Sequence, residues 1–155
     1  MASEIERKFL VPVAPGPEEL GPGDRLRQGY LAIDGRVEAR LRLAAGSATL
    51  TVKAGAGLAR TEVEVDLDVD DADALWPHTE GRRVEKVRHR IALSTGETAD
   101  VDLYEGALAG LITAEVEFTG EPAAGEFTPP AWFGRELTGK AGWSNASLGV
   151  HGRPS

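Results

Sequence analysis

The sequence has no cysteine, one methionine and three histidines in 155 residues. A disulfide scaffold, a thiolate metal site and a cysteine nucleophile are excluded, and the composition suits a reducing compartment such as the cytoplasm. His78, His89 and His151 have no carboxylate or second histidine at ligand spacing, so they read as surface or packing residues. Long hydrophobic runs are missing too. The least polar stretch, Ala107 to Ala114, is far too short to span a membrane, and no basic start followed by an apolar run suggests a signal peptide. Positive charge is outnumbered, 17 Lys and Arg against 25 Asp and Glu, for a net charge of −8. That argues against broad nucleic-acid binding, yet it leaves room for a small polyanion in a local basic pocket. No glycine-rich loop precedes a helix, no fixed-period repeat is present, and no linker divides residues 1–155. One domain with a substantial core is expected.

What the chain does have is alternation. Glu4-Ile5-Glu6-Arg7-Lys8-Phe9-Leu10-Val11, read as a strand, puts Glu4, Glu6 and Lys8 on one face and Ile5, Phe9 and Val11 on the other. Two carboxylates at i, i+2 are a natural seat for a divalent cation, and a lysine beside them could hold an anion. The same pattern recurs. A Pro- and Gly-rich loop over 12–22, with room for a helical turn or two, precedes a strand over 25–33 with Gln28 and Tyr30 opposite Leu31 and Ile33. Asp34-Gly35 signals a hairpin into 36–43, followed by strands over 48–53 and 60–67. A helix is expected over 70–76, stopped by Pro77, then strands over 84–93, 98–104 and 113–119. Residues 108–111 read as a small apolar link, and the tail from Pro129, with Trp132, Phe133 and Trp143, as short helices covering apolar surface.

Collecting the polar parity of every strand puts ten acids on one face: Glu4, Glu6, Glu38, Glu62, Glu64, Asp66, Asp100, Asp102, Glu115 and Glu117. Nine bases share it: Lys8, Arg36, Arg40, Arg42, Lys53, Arg60, Lys86, Arg88 and Arg90. An ordinary solvent face mixes Thr, Ser, Gln and Lys, whereas this one is nearly all charge with its signs grouped by strand. Such a sheet can carry its charge outside, or roll into a barrel whose interior is a charged, wet channel. In the second case the apolar parity faces outward and needs helices or a second subunit over it. Composition does not choose between the two, but the chemistry favours the channel. Arginine forks and lysines bind phosphate oxygens, and carboxylate pairs hold Mg²⁺ or Mn²⁺. Arg36, Glu38, Arg60, Asp66 and Arg90 read as rim or cross-strand ion pairs. Tyr30 either lines the channel or packs, and Trp132 and Trp143 read as packing residues.

These residues resemble the CYTH, or triphosphate tunnel metalloenzyme, family. Its N-terminal Glu-x-Glu-x-Lys strand stands here as Glu4-Ile5-Glu6-Arg7-Lys8. The resemblance continues in order through Gln28-Gly29-Tyr30-Leu31, Arg40-Leu41-Arg42, Thr51-Val52-Lys53, Glu62-Val63-Glu64, Lys86-Val87-Arg88, Asp100-Val101-Asp102 and Ala114-Glu115-Val116-Glu117. Late in the chain it takes in 130–134, Glu136, Thr138, Asn145 and Leu148. It implies an eight-stranded antiparallel tunnel barrel with outer helices, a β-dominated α+β fold, and Mg²⁺- or Mn²⁺-dependent hydrolysis of triphosphates, inorganic triphosphate first. By position it makes Glu4, Glu6, Glu115 and Glu117 metal ligands. Glu62, Glu64 and Asp102 become nearby ligands or water-orienting groups. Lys8, Arg40, Arg42, Lys53, Lys86 and Arg88 become the phosphate clamp. The segment Gly139-Lys140-Ala141-Gly142-Trp143-Ser144 departs from the family's usual acidic residue and Arg-Tyr pair. An adenylate cyclase acting on ATP, or a polyphosphate or nucleotide sensor without turnover, are the alternatives. A homodimer would cover the outward apolar strands.

Overall fold

In the computed structural model, which describes residues 3–56 and 58–155, the alternating segments become eight strands. They are β1 (Ser3–Leu10), β2 (Gly23–Asp34), β3 (Val37–Ala44), β4 (Ser47–Ala54), β5 (Ala59–Leu67), β6 (Arg83–Ala92), β7 (Thr98–Tyr104) and β8 (Ile112–Glu117). Every neighbouring pair is antiparallel, and the sheet closes in the order β1-β5-β4-β3-β2-β6-β7-β8 with β8 returning to β1. Closure removes the unpaired edges that an open sheet of this width would expose. Four short helices accompany the barrel: α1 (Pro17–Leu20), α2 (Val69–Leu75), α3 (Glu121–Glu126) and α4 (Asn145–His151). None is long and apolar enough to cross a membrane.

The registers put the charged parity inside. Lys8 faces Glu115, Glu6 faces Glu117, Lys53 faces Glu62, and Arg88 faces Asp102. The apolar core is consequently outside the sheet. Phe9, Val101, Ala114, Val116 and Phe118 on the outer surface pack under Ala124, Phe127 and Phe133 from α3 and the chain beyond it. Phe9 lies 4.9 Å from Phe133 and 6.3 Å from Phe127, centroid to centroid, distances at which tilted rings attract. On the opposite side α2 covers Leu41 and Ala48.

Four features depart from the alternation read in the sequence. A bulge shifts the β2–β3 register between Tyr30 and Ala32, so Ile33 stands opposite inward Glu38 instead of continuing the outer face. Helix α3 was not expected, although Gly120, Glu121 and Pro122 are a legible helix start. In the tail only α4 is helical, and Trp132 and Phe133 sit in irregular chain. The channel, finally, is wet over only part of its length. Leu10, Val84 and Tyr104 continue the inward parity and pack with Leu108, Leu111, Leu137, Trp143 and Leu148 as an apolar plug at one end.

The tail also completes the wall. β1 pairs with β5 over Ser3 to Ile5 only. Beyond that, the free edge of β1 is taken by residues 134–138: Gly134 N donates to Leu10 O (2.6 Å), Leu10 N to Arg135 O (2.8 Å) and Leu137 N to Lys8 O (2.7 Å). Gly134 is required at this close approach, since a Cβ there would lie 2.8 Å from Leu10 O. On the outside, Arg7 clamps the segment through a two-pronged pair with Glu136 at 2.8 Å each.

Candidate active site

The barrel encloses a polar cavity of about 570 Å³. Its acidic wall comes from β1, β5 and β8, its basic wall from β3, β4 and β6, and residues 137–145 form a lid at the plugged end. Strand alternation alone explains why every second residue of these strands reaches the same space.

On the acidic wall the carboxylates come in pairs. Glu4 and Glu62 form the first pair. Burial and the neighbouring Glu62 push Glu4 up to about 7, while Glu62 is held low by the hydrogen bond it accepts. Lys53 Nζ bridges the two, 3.1 Å from Glu4 and 3.5 Å from Glu62. Glu6 and Glu115 form the second pair. Burial, then the charge of Glu115, pushes Glu6 up to about 9. Burial opposes ionisation of Glu115 as well, but Lys8 and Arg88 outweigh it and hold that carboxyl well below its usual range. Glu115 Oε1 is shut off from water with no hydrogen-bond partner, and its nearest cation, Lys8 Nζ, is 4.0 Å away. Among the described residues no three acidic or histidine side chains converge at metal-binding distance. The donors do suit a hard cation: paired carboxylates and an orphaned buried carboxylate oxygen.

On the basic wall, Arg40 reaches Thr51 Oγ1 at 3.4 Å, and its buried Nε has no partner. Arg42 donates twice to Gln28 Oε1, at 3.0 and 2.6 Å. Burial and then the charges of Arg40 and Arg88 pull Arg42 down to about 10. Lys8 Nζ donates to Trp143 O at 2.6 Å, tying the lid to the first strand.

Of the residues expected from the resemblance, Glu4, Glu6, Lys8, Arg40, Arg42, Lys53, Glu62, Glu64, Arg88, Glu115 and Glu117 all line the cavity. Lys86 and Asp102 do not. Both are wholly buried behind the wall, 2.7 Å apart, and Asp102 accepts two bonds from Arg88 at 2.8 and 2.9 Å. Full burial pushes Lys86 down to about 7 despite Asp102. In this arrangement the pair anchors Arg88 and does not face the cavity. Tyr30 lines the cavity and is almost fully buried. Arg90 pairs with its cross-strand neighbour Asp100 at 3.5 Å from an exposed rim, whereas Arg60 reaches past β4 to Glu38 on β3 at 3.5 Å. Sequence reasoning missed the roles of Gln28 and of the Trp143 carbonyl. Gln28 had a signal in its inward parity beside Arg42, whereas a main-chain oxygen has none.

A closed antiparallel barrel around facing carboxylates and guanidinium groups defines the triphosphate tunnel, or CYTH, class. No family model matches the chain. It is 43% identical over 149 residues to the inorganic triphosphatase of Nitrosomonas europaea, covering 96% of this chain and 97% of that protein. It is 35% identical to the inorganic triphosphatase of Acetivibrio thermocellus, covering 96% and 94%. A crystal structure of an inorganic triphosphatase, 40% identical, superposes with a TM-score of 0.71 over 99% of each chain. A Hippeastrum protein described as an adenylyl cyclase with dominant triphosphatase activity shares the fold at 14% identity, with a TM-score of 0.56 over 79% of this chain and 82% of that one. The chain belongs to the inorganic triphosphatase family.

Proposed function

We propose that the protein hydrolyses inorganic triphosphate to diphosphate and phosphate with Mg²⁺ or Mn²⁺. The observation that carries this reading is the division of one cavity into an acidic wall of paired carboxylates and a basic wall of lysine and arginine, with Arg42 in no ion pair among the described residues. Lys8, Arg40, Arg42, Lys53 and Arg88 bind the phosphate oxygens and hold the polyphosphate along the channel. Glu4, Glu6, Glu115 and Glu117 hold the metal, which when bound would neutralise charge on the phosphate oxygens and lower the pKa of a coordinated water. Glu62 and Glu64 orient the attacking water. Its oxygen bonds to the terminal phosphorus in line as the bridging oxygen leaves with the diphosphate, and the basic wall stabilises the charge that develops there.

The test is phosphate release from inorganic triphosphate, ATP and thiamine triphosphate, with each metal and with none, beside Glu6→Ala. Release from inorganic triphosphate that needs metal and vanishes in the variant is expected. Cyclic AMP from ATP would move the reading to a cyclase, and saturable binding without any release would move it to a sensor.

The reading includes a homodimer. The outward positions of β3, β4 and β5 carry no charge at all, and Val37, Val52, Val63 and Val65 remain 40–55% exposed, contiguous through the pairs Val52–Val63 and Leu50–Val65. A second copy presents the same uncharged face, so neither partner desolvates a charge. Light scattering should give twice the chain mass, and Val63→Lys should return the monomer. A wild-type monomer at high micromolar concentration would reject the dimer.

A further inference from the structure

The guanidinium groups on the basic wall are held in two different ways. Arg88 rests on a carboxylate: Asp102 takes two of its hydrogen bonds, and Asp100 lies 3.3 Å away. Its charge is therefore largely cancelled before any ligand arrives. Arg42 rests on an amide. Gln28 on β2 stands directly opposite Arg42 on β3, is fully buried, and accepts from both Nε and a terminal nitrogen of the guanidinium through one oxygen. Arginine has only donors to offer, so the amide oxygen, not the nitrogen, must face it. No carboxylate among the described residues lies within ion-pair distance of Arg42, which lines the cavity.

Gln28 is also incompletely satisfied. Its Nε2 is buried without a partner. An orphaned buried donor opposes folding, and a glutamate of the same shape would remove it while gaining an ion pair with Arg42. Stability alone would thus favour glutamate here. A neutral acceptor does what glutamate cannot, fixing the direction of the guanidinium while leaving its positive charge uncancelled in a poorly solvated wall. We propose that Gln28 is a positioning residue for substrate binding, holding the Arg42 guanidinium toward the cavity with its charge free for a phosphate group. The inference rests on the reading of Arg42 as part of the phosphate clamp.

Steady-state hydrolysis of inorganic triphosphate by the wild type, Gln28→Glu, Gln28→Met, Arg42→Ala and the Gln28→Met/Arg42→Ala double variant tests it. Gln28→Glu should melt no lower than the wild type and raise KM about tenfold with a smaller change in kcat, because the geometry survives and the free charge does not. Gln28→Met should raise KM in the wild-type background and add nothing in the Arg42→Ala background, since a residue acting through Arg42 has nothing left to act on. Purely structural packing would instead give additive losses and a lowered melting temperature. Arg42→Ala with an unchanged KM would overturn the clamp reading and the role of Gln28 with it. A weakened Arg42→Ala beside a Gln28→Glu at wild-type KM would overturn the Gln28 inference alone. Should Gln28→Glu fail to fold, the methionine cycle decides by the same additivity criterion.

Discussion

At the scale of single residues, the surroundings of some cavity groups oppose their ionisation. Glu6 shows it most sharply. Its carboxyl titrates at about 9 in the fold against an ordinary 4.5, because burial and Glu115 both penalise its charge. A carboxyl raised in this way favours the folded state fully below its unfolded pKa and loses that contribution as pH rises toward the folded value. The metal-free protein should therefore lose stability between about pH 4.5 and 9 on account of Glu6, with Glu4 adding to the trend up to about 7. Glu6→Gln should melt several degrees higher than the wild type at pH 9, melt about equally at pH 5, and have no activity at either. Thermal melts in chelator at the two pH values check this, and equal melting at pH 9 would show that Glu6 carries no such strain. On the proposed reading, function and stability would pull in opposite directions at this carboxylate, as at Gln28.

Among the elements, the C-terminal segment matters most. Residues 134–138 occupy the β1 edge, Thr138 Oγ1 accepts from Lys8 N at 2.9 Å, and the Trp143 carbonyl accepts from Lys8 Nζ. The first strand's lysine is thus held at three points by the tail. Trp143 is buried in the plug against Val84, Leu137 and Leu148. Trp143→Ala should destabilise the fold by about 3–5 kcal/mol. It should also raise KM for triphosphate, since the carbonyl that positions Lys8 moves with the collapsing plug. Denaturant unfolding with steady-state kinetics measures both. A loss of stability with unchanged KM would reduce the lid to a packing element. The departure from the family pattern over 139–144 lies within this lid.

For the molecule as a whole, the barrel folds with its charge gathered around one internal cavity. A ligand that binds only the closed barrel stabilises it by mass action, about 2.7 kcal/mol at a hundredfold excess over Kd. Inorganic triphosphate with Mg²⁺ or Mn²⁺ should raise the melting temperature well beyond either alone. On the proposed reading the Glu4–Glu62 and Glu6–Glu115 pairs would release protons on holding a metal, and Arg40 and Arg42 would pair with phosphate oxygens. Scanning fluorimetry with the four combinations measures the coupling, and strictly additive shifts would mean that metal and triphosphate bind independently.

The sequence by itself determined the strands, which residues share a face and the charged character of that face. Alternation has a period of two, so Glu4, Glu6 and Lys8, or Arg40 and Arg42, share a face in any regular strand. Glycine and proline mark turns by local dihedral preference alone, which is why the strand bounds were legible to within two residues. Only the tertiary structure decided which face closed inward and how far the water reached. The plug joins Leu10, Val84, Tyr104 and Trp143 from four distant parts of the chain, and the β1 edge is completed by residues more than a hundred positions later. Lys86 and Arg88 share one parity in the sequence, yet one is sealed behind the wall and the other faces the cavity. Period two tells a strand which side a residue faces, but depth along the barrel axis depends on register and tail packing, which no local pattern encodes.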